Sequence, residues 1–522
     1  MFKRVRYVLL SLSLANLCFL SPWLVLLNPA HYAYYNWPEY PGFIEFIALG
    51  VAIVLLTLLF WVAANVVHKA RSRSLLITSR LLLLLSLVLP LNSFLADYAN
   101  ISVFEFLQAH RWLMLPTLAL SAVMVLVIFL FNRPLTRIAT TLLIILSPLC
   151  LVNLVSAIKL RNAHISTEAF HDRHPATTVT TRLNTPHIVW IVFDEFDQNT
   201  AFVSRPPSLR LPEFDRFLSQ SISAANAFPP NKFTEYSLPA LITGQLVATG
   251  NAIAPNELVL INADGAQRKW STENNVFSRA RSEGFSTGTV GWFHPYCRVI
   301  GDSLDSCDWV PVVDAINPSL DKLSFGRAFW LCLRSALYRI PFAFRLLEWQ
   351  YDRERKEQHR AEFERASCFA DALLKQDLNL KFLHLPVPHH PWIFDARTHS
   401  FSSAAGNGYL DNLALADQTL GQVRRVLEDS GQWDSSIVLV SSDHWWRTSD
   451  VVEGKRDHRI PFMLKLAGQT VGIEYKTPFN TVLTDELVLQ LLKGQLMSPT
   501  DVTTWIDSNS KLAENPLTAK EP

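Results

Sequence analysis

Hydrophobic positions crowd the first 160 residues, where short polar breaks separate five apolar stretches, at 7–28, 43–67, 75–96, 112–132 and 134–157. A helix needs about 20 residues to cross a hydrocarbon core, and each stretch is that long. The pattern predicts a bundle of five transmembrane helices over 1–157. Arg80 lies close enough to the start of its helix to reach the interface, and Pro90 is tolerated where neighbouring helices satisfy the freed carbonyl.

Beyond residue 158 the pattern changes. Residues 158–185 are polar and rich in Thr, His and Arg, which predicts a linker. A continuous apolar run then opens at His187 and closes on Asp194-Glu195, as expected for a strand buried on both faces. Two more such runs follow, Ser436 to Val440 leading into Ser442-Asp443-His444, and Leu380 to His384 leading into His389-His390. Helical spacing of apolar residues marks 353–375 and 409–428. Strands alternating with helices predict an α/β sandwich over 186–507 around a mostly parallel central sheet, and a polar tail over 508–522. In such sheets chemistry collects at the carboxyl ends of strands, where all three polar clusters fall. Residues 325–349 mix Phe329, Trp330, Phe342, Phe344 and Trp349 with four arginines, and read as paired amphipathic helices, either on a bilayer surface or packed in the domain.

Charge sets the orientation. Lys3, Arg4 and Arg6, then Lys69, Arg71 and Arg73, then Arg133 and Arg137 occupy alternate inter-span segments, which places those segments and the N-terminus in the cytoplasm. Everything after the fifth span then lies outside, in the periplasm of a bacterial-type inner membrane, and Tyr32, Tyr34, Tyr35, Trp37 and Tyr40 form an interfacial aromatic belt. With 49% hydrophobic residues and 47 basic against 46 acidic side chains, the 522-residue chain offers nothing for a polyanion, which excludes nucleic acid as a partner. Four of the six cysteines fall in the outer domain; Cys297 and Cys307 are the expected disulfide, while Cys332 and Cys368 are either paired or free.

Carboxylates at two strand ends, with histidines beside them, are oxygen and imidazole donors suited to zinc or manganese. At this point the sequence resembles a known family. Asn231-Lys232-Phe233-Thr234-Glu235-Tyr236-Ser237-Leu238-Pro239-Ala240-Leu241-Ile242-Thr243-Gly244 is similar to the nucleophile segment of the alkaline phosphatase and sulfatase superfamily. Its T-x-x-S-x-P spacing is similar to phosphoethanolamine transferases. Asp194-Glu195 and Ser442-Asp443-His444 match the metal-binding strand ends of the superfamily, and His458 falls where many members keep a further histidine. A membrane anchor followed by such a domain also resembles lipoteichoic acid synthases.

The resemblance implies an alkaline phosphatase-like fold and a divalent metal, Zn2+ by analogy with the transferases and otherwise Mn2+ or Ca2+. Its ligands would be Asp194, Thr234, Asp443 and His444, with Glu195 and His458 as further candidates. A cation lowers the pKa of a threonine hydroxyl, so that Thr234 attacks phosphorus at neutral pH and becomes covalently modified. His389 and His390 would act in catalysis, and Lys232, His384 and Trp445 would meet substrate. The expected activity is transfer of a phosphoethanolamine- or phosphoglycerol-type group from a membrane phospholipid to an envelope glycan or lipid, with ester hydrolysis as the alternative. Thr234 departs from the C-x-P-x-R motif that sulfatases convert to an aldehyde hydrate, which disfavours sulfate ester hydrolysis by that route. Trp445 and Trp446 also depart from the family, in which Gly follows Asp-His, and leave the acceptor open.

Overall fold

The computed structural model describes residues 2–28, 32–38, 43–70, 72–97, 114–162, 167–177, 179–182, 185–312, 323–338, 341–403, 408–449 and 457–510. The chain divides into two units that each draw on discontinuous sequence: 1–33 with 39–168 and 321–350, and 34–38 with 169–320 and 351–522.

In the first unit, helices Ile44–Ala70, Arg73–Leu95 and Asn132–Leu160 are long and apolar enough to span a membrane. Helices over 4–18 and 20–26 meet at a 61° bend and raise the number to four if the pair counts as one span. The expected fourth stretch yields a shorter helix, Met114–Leu130. Among the described residues three to four candidates therefore stand where five were expected. Leu58, Leu120, Ile145 and Leu151 are each more than half exposed, an apolar exterior suited to lipid. Arg80 donates to Asn132 Oδ1 at 3.4 Å.

Helix Phe325–Tyr338 belongs to this unit and packs on Phe43–Ala70 and Leu20–Leu26. The two helices expected over 325–349 are Phe325–Tyr338 and the 34-residue helix Pro341–Leu374, and Pro341 opens the second, where a missing N–H costs nothing. The expected contiguous 186–507 domain is thus interrupted at 321–350, because an apolar helix face finds its partners in the first unit.

The second unit is built on an eight-stranded sheet among the described residues. In chain order its strands are β1 (His187–Asp194), β2 (Ile222–Ala224), β3 (Thr287–Trp292), β4 (Ser306–Val310), β5 (Leu380–Pro388), β6 (Ser436–Ser442), β7 (Phe462–Lys465) and β8 (Ile473–Tyr475). They lie in the order β8-β2-β7-β6-β1-β5-β3-β4. From β6 to β4 every pairing is parallel, and only β7 runs antiparallel to its neighbours. The predicted mostly parallel sheet is therefore present, and its three anticipated strands are the adjacent set β6-β1-β5.

Strand β1 is buried on both faces. Val189, Ile191 and Phe193 join a core with Leu413, Leu420 and Leu427 of helix Tyr409–Asp429 and with Phe363 and Leu373 of helix Pro341–Leu374. On the opposite side Trp190 meets Phe382 edge-on, and Phe382 meets Phe277 of helix Val276–Ser282. Each such side chain contributes about 1.5 to 3 kcal/mol when fully buried, which fixes β1 as the centre of the sandwich. Of the linker expected over 158–185, the described residues 169–177, 179–182 and 185 belong to this unit: the Arg173 N–H donates to the Cys297 carbonyl at 2.8 Å, and Gly301 packs against the Arg173 backbone. Cys297 and Cys307 form the expected disulfide, and Cys332 and Cys368 are free.

Candidate active site

Because β6, β1 and β5 are adjacent and parallel, their carboxyl ends open on one edge of the sheet. Phe193 is in register with Ser442, and Asp194 pairs with Pro388 across a register shift. The chain then turns sharply, and Glu195 takes φ 64°, a left-handed conformation that costs a non-glycine residue about 1 to 2 kcal/mol. Three hydrogen bonds offset it: Glu195 N–H donates to Asp443 Oδ1 (3.1 Å), Tyr409 O–H donates to the Glu195 carbonyl (2.7 Å), and Phe196 N–H donates to Ser442 Oγ (2.8 Å).

Thr234 is the first residue of helix Thr234–Thr243. Ahead of it, the Asn231 side chain accepts from the Lys232 and Phe233 N–H groups and donates to the Val247 carbonyl, which shapes the entry. One helical turn on, Ser237 Oγ donates to the Asp443 carbonyl at 2.5 Å. The T-x-x-S spacing therefore has a physical reason: residues three apart share a helix face, so the serine moors to β6 the helix that presents the threonine. Orphan N–H groups and the dipole at this helix start favour an anionic phosphoryl group.

Gly244 closes the helix at φ 69°, and a Cβ there would collide with the Asp485 carboxylate, itself held by Arg279 at 2.8 Å. Gly244→Ala is expected to destabilise the second unit by about 2 to 4 kcal/mol, the sum of left-handed strain and overpacking. An unchanged melting temperature would contradict this.

Thr234 Oγ1 lies 3.1 Å from Asp194 Oδ2 and 3.2 Å from His444 Nε2. Donor atoms of Asp194, Asp443 and His444 all fall within 4.8 Å of one another, and all three residues are buried. The His444 Nδ1 faces the Trp445 carbonyl at 2.8 Å and the His384 Nδ1 faces the Trp292 carbonyl at 2.9 Å. A carbonyl can only accept, so both Nδ1 atoms carry the proton and both Nε2 lone pairs turn inward, the orientation of a metal-ligating imidazole. His384 Nε2 lies 3.4 Å from Asp194 Oδ2, and burial lowers its pKa to about 4, which keeps it neutral.

Asp194 Oδ1, Asp443 Oδ2 and His384 Nε2 are buried with no hydrogen-bond partner. Burial, and then Asp443 beside it, push the Asp194 carboxyl well above the usual carboxylate range. Lone pairs thus converge from four side chains with a single hydroxyl proton among them, and a divalent cation fits that donor set. The residues do not select the metal.

A second group, Glu195, His389 and His390, also lies within metal-binding reach of one another. Here Arg447 intervenes, with Nε 3.4 Å from Glu195 Oε1 and Nη2 donating to His389 Nε2 at 3.2 Å. Burial would raise the Glu195 carboxyl, but His389, His390, His444 and Arg447 outweigh it and hold it below the ordinary range. Above Thr234 opens a cavity of about 360 Å³, lined by Phe233, Trp292, Arg355, His389 and Arg447 among others. Two guanidiniums and an aromatic wall suit an anionic ester.

Asp194, Thr234, Asp443, His444, His384, Glu195, His389 and His390 therefore come together. Three other candidates do not. Trp445 is 1% exposed and stacks on His458 at 4.4 Å, so neither of its faces is open for a sugar or a headgroup. His458 is drawn into that stack and stands outside both donor groups among the described residues. Lys232 Nζ lies over the Phe233 ring at 5.2 Å, and Lys232 is not among the cavity residues. Trp446 likewise packs inward, stacked on Tyr409 at 4.1 Å. Arg447 and Arg355 were not anticipated; the signal for Arg447 was its place three residues after His444 in a loop already marked as functional.

The sulfatase family model matches residues 186–482. Comparison with curated proteins finds no match. Among solved structures, the chain is similar to Ps i-CgsB (14% identity, TM-score 0.43, covering 63% of this chain and 77% of that one). It is also similar to the PsFucS1 sulfatase from Pseudoalteromonas sp. (14%, 0.43, 59% and 68%) and to the phosphonate monoester hydrolase of Agrobacterium radiobacter (14%, 0.34, 59% and 77%). The family match covers more than half of the chain, which therefore belongs to the sulfatase family and is a hydrolase-type enzyme of the alkaline phosphatase and sulfatase superfamily.

Proposed function

We propose that this protein is a membrane-anchored phosphotransferase that moves a phosphoethanolamine- or phosphoglycerol-type group from a membrane phospholipid to an envelope glycan or lipid. The observation that carries the reading is Thr234 Oγ1, held between Asp194 and His444 at a helix start beneath a cavity with two arginines. An unmodified hydroxyl in that place suits attack on phosphorus. The apolar N-terminal helices support a donor that diffuses in the plane of the membrane, and the Cys297–Cys307 disulfide supports a periplasmic catalytic unit. With the bent pair and Met114–Leu130 each counted as a span, the anchor has five and the N-terminus is cytoplasmic.

In the first half-reaction the Thr234 oxygen bonds to phosphorus, the bond from phosphorus to the diacylglycerol oxygen breaks, and the hydroxyl proton ends on the released diacylglycerol. In the second, an acceptor hydroxyl oxygen bonds to the same phosphorus, the bond from phosphorus to the Thr234 oxygen breaks, and the acceptor's proton returns to Thr234. Asp194, Asp443 and His444, with His384 beside them, would hold a divalent cation that lowers the hydroxyl pKa and offsets charge on the phosphoryl oxygens. Arg447 and Arg355 orient the ester, and His389, held by Arg447, faces the same space.

Purified protein supplied with metal and labelled phosphatidylethanolamine or phosphatidylglycerol is expected to release diacylglycerol. No release from either donor would refute the proposal. The family match supports hydrolysis as the second reading, with water in place of the acceptor alcohol. Turnover of a phosphodiester that added alcohols leave unchanged would select it.

A further inference from the structure

We propose that Tyr35 is a positioning residue for the Thr234 nucleophile, acting through His294; this rests on the reading of Thr234 given above. Residues 34–38 lie in sequence between two apolar helices, yet they belong to the catalytic unit. Tyr35 is fully buried, and its hydroxyl lies 2.9 Å from His294 Nδ1. The opposite ring nitrogen, His294 Nε2, lies 3.3 Å from the Thr234 carbonyl.

The direction of this relay is fixed by elementary hydrogen bonding. A carbonyl accepts only, so Nε2 carries the proton and Nδ1 offers a lone pair, and the Tyr35 hydroxyl must donate to it. Without the tyrosine hydroxyl the buried Nδ1 loses its donor. The ring is then held at one nitrogen only, and its Nε2–H is free to tilt away from the Thr234 carbonyl.

Both ends of the relay are held. The Tyr35 carbonyl accepts from Arg298 Nη2 at 2.7 Å, and the Arg298 guanidinium lies 5.1 Å from the Phe170 ring and 4.8 Å from that of Trp309. Arg298 adjoins the disulfide-bonded Cys297. The His294 ring meets Trp270 edge-on at 4.8 Å. At the other end, the Thr234 carbonyl sits in the first turn of its helix, so a bond to it fixes the peptide plane from which the side chain projects. A displacement of about 1 Å at a reacting group can cost about 100-fold in rate.

The test uses the full-length protein. Tyr35→Phe is expected to lower kcat for diacylglycerol release about 10- to 100-fold with KM changed less than about 3-fold, and to speed amide hydrogen exchange in the first turn of helix 234–243. In a His294→Gln background, where an amide donates to the Thr234 carbonyl whatever Tyr35 does, Tyr35→Phe is expected to change kcat less than about 3-fold. Equal losses in the two backgrounds, or unchanged exchange at 234–243 in Tyr35→Phe, would overturn the proposal. Wild-type protein with no turnover would instead refute the transferase reading, and the exchange measurement would still decide the role of Tyr35.

Discussion

Thr234→Ala is expected to reduce turnover about ten-thousandfold or more while leaving metal content and melting temperature close to those of the wild type. The loss is large because the hydroxyl is the bond-forming atom, and no other hydroxyl among the described residues lies between Asp194 and His444. The fold should hold because only one oxygen and one methyl are removed, while Ser237 still moors the helix to the Asp443 carbonyl. Thr234→Ser, which keeps the oxygen, should retain turnover within about 100-fold of wild type. Intact-mass measurement on protein quenched during turnover should show a covalent increment on wild type and none on the alanine variant, and the size of the increment identifies the transferred group. More than a tenth of wild-type activity in Thr234→Ala would end the case for a covalent threonine.

The second large effect concerns the buried carboxylate pair, and its sign separates a metal centre from an ordinary polar cluster. Chelation should abolish activity and lower the melting temperature of wild type, because a ligand at a thousand times its Kd stabilises by about 4 kcal/mol and that contribution is lost. Asp443→Asn should lower activity about a thousandfold or more while behaving oppositely in stability. Asp443 Oδ1 accepts from the Glu195 and His444 N–H groups, a role that the amide oxygen keeps. The amide nitrogen would replace the unpartnered Oδ2 and could donate toward Asp194. Metal-free Asp443→Asn should therefore melt at or above metal-free wild type, since two facing buried charges become one, and should gain little when metal is added. Wild type melting alike with and without metal, or a variant that gains as much as wild type, would exclude the site as a metal centre.

How much of this site the sequence reveals depends on the range of the physics involved. Three apolar runs, each closing on carboxylates or histidines, mark β1, β5 and β6, because burial on both faces leaves a local compositional trace. That Asp194, Asp443 and His444 meet follows from strand ends sharing one edge of a parallel sheet. Trp445 and His458 are misleading for the complementary reason. Whether a ring faces a cavity or the loop beneath it depends on the backbone path after His444, where Nδ1 turns to the Trp445 carbonyl, and no local pattern encodes that path. Tyr35 reads as part of an interfacial belt because aromatics beside apolar helices usually are. Its actual partner lies 259 residues away. Helix 325–338 shows the same limit, since its amphipathic pattern is plain and its packing partner is not.

The interleaving of the two units also governs how the protein is made. Translation proceeds at about 5 to 20 residues per second, so the Tyr35 segment leaves the ribosome roughly 13 to 50 seconds before its histidine partner. Through that interval the segment lacks its histidine partner, and β1 likewise lacks β6. A nascent chain arrested before about residue 300 should carry these residues accessible to a chaperone or a protease, and release of the remainder should close them off together.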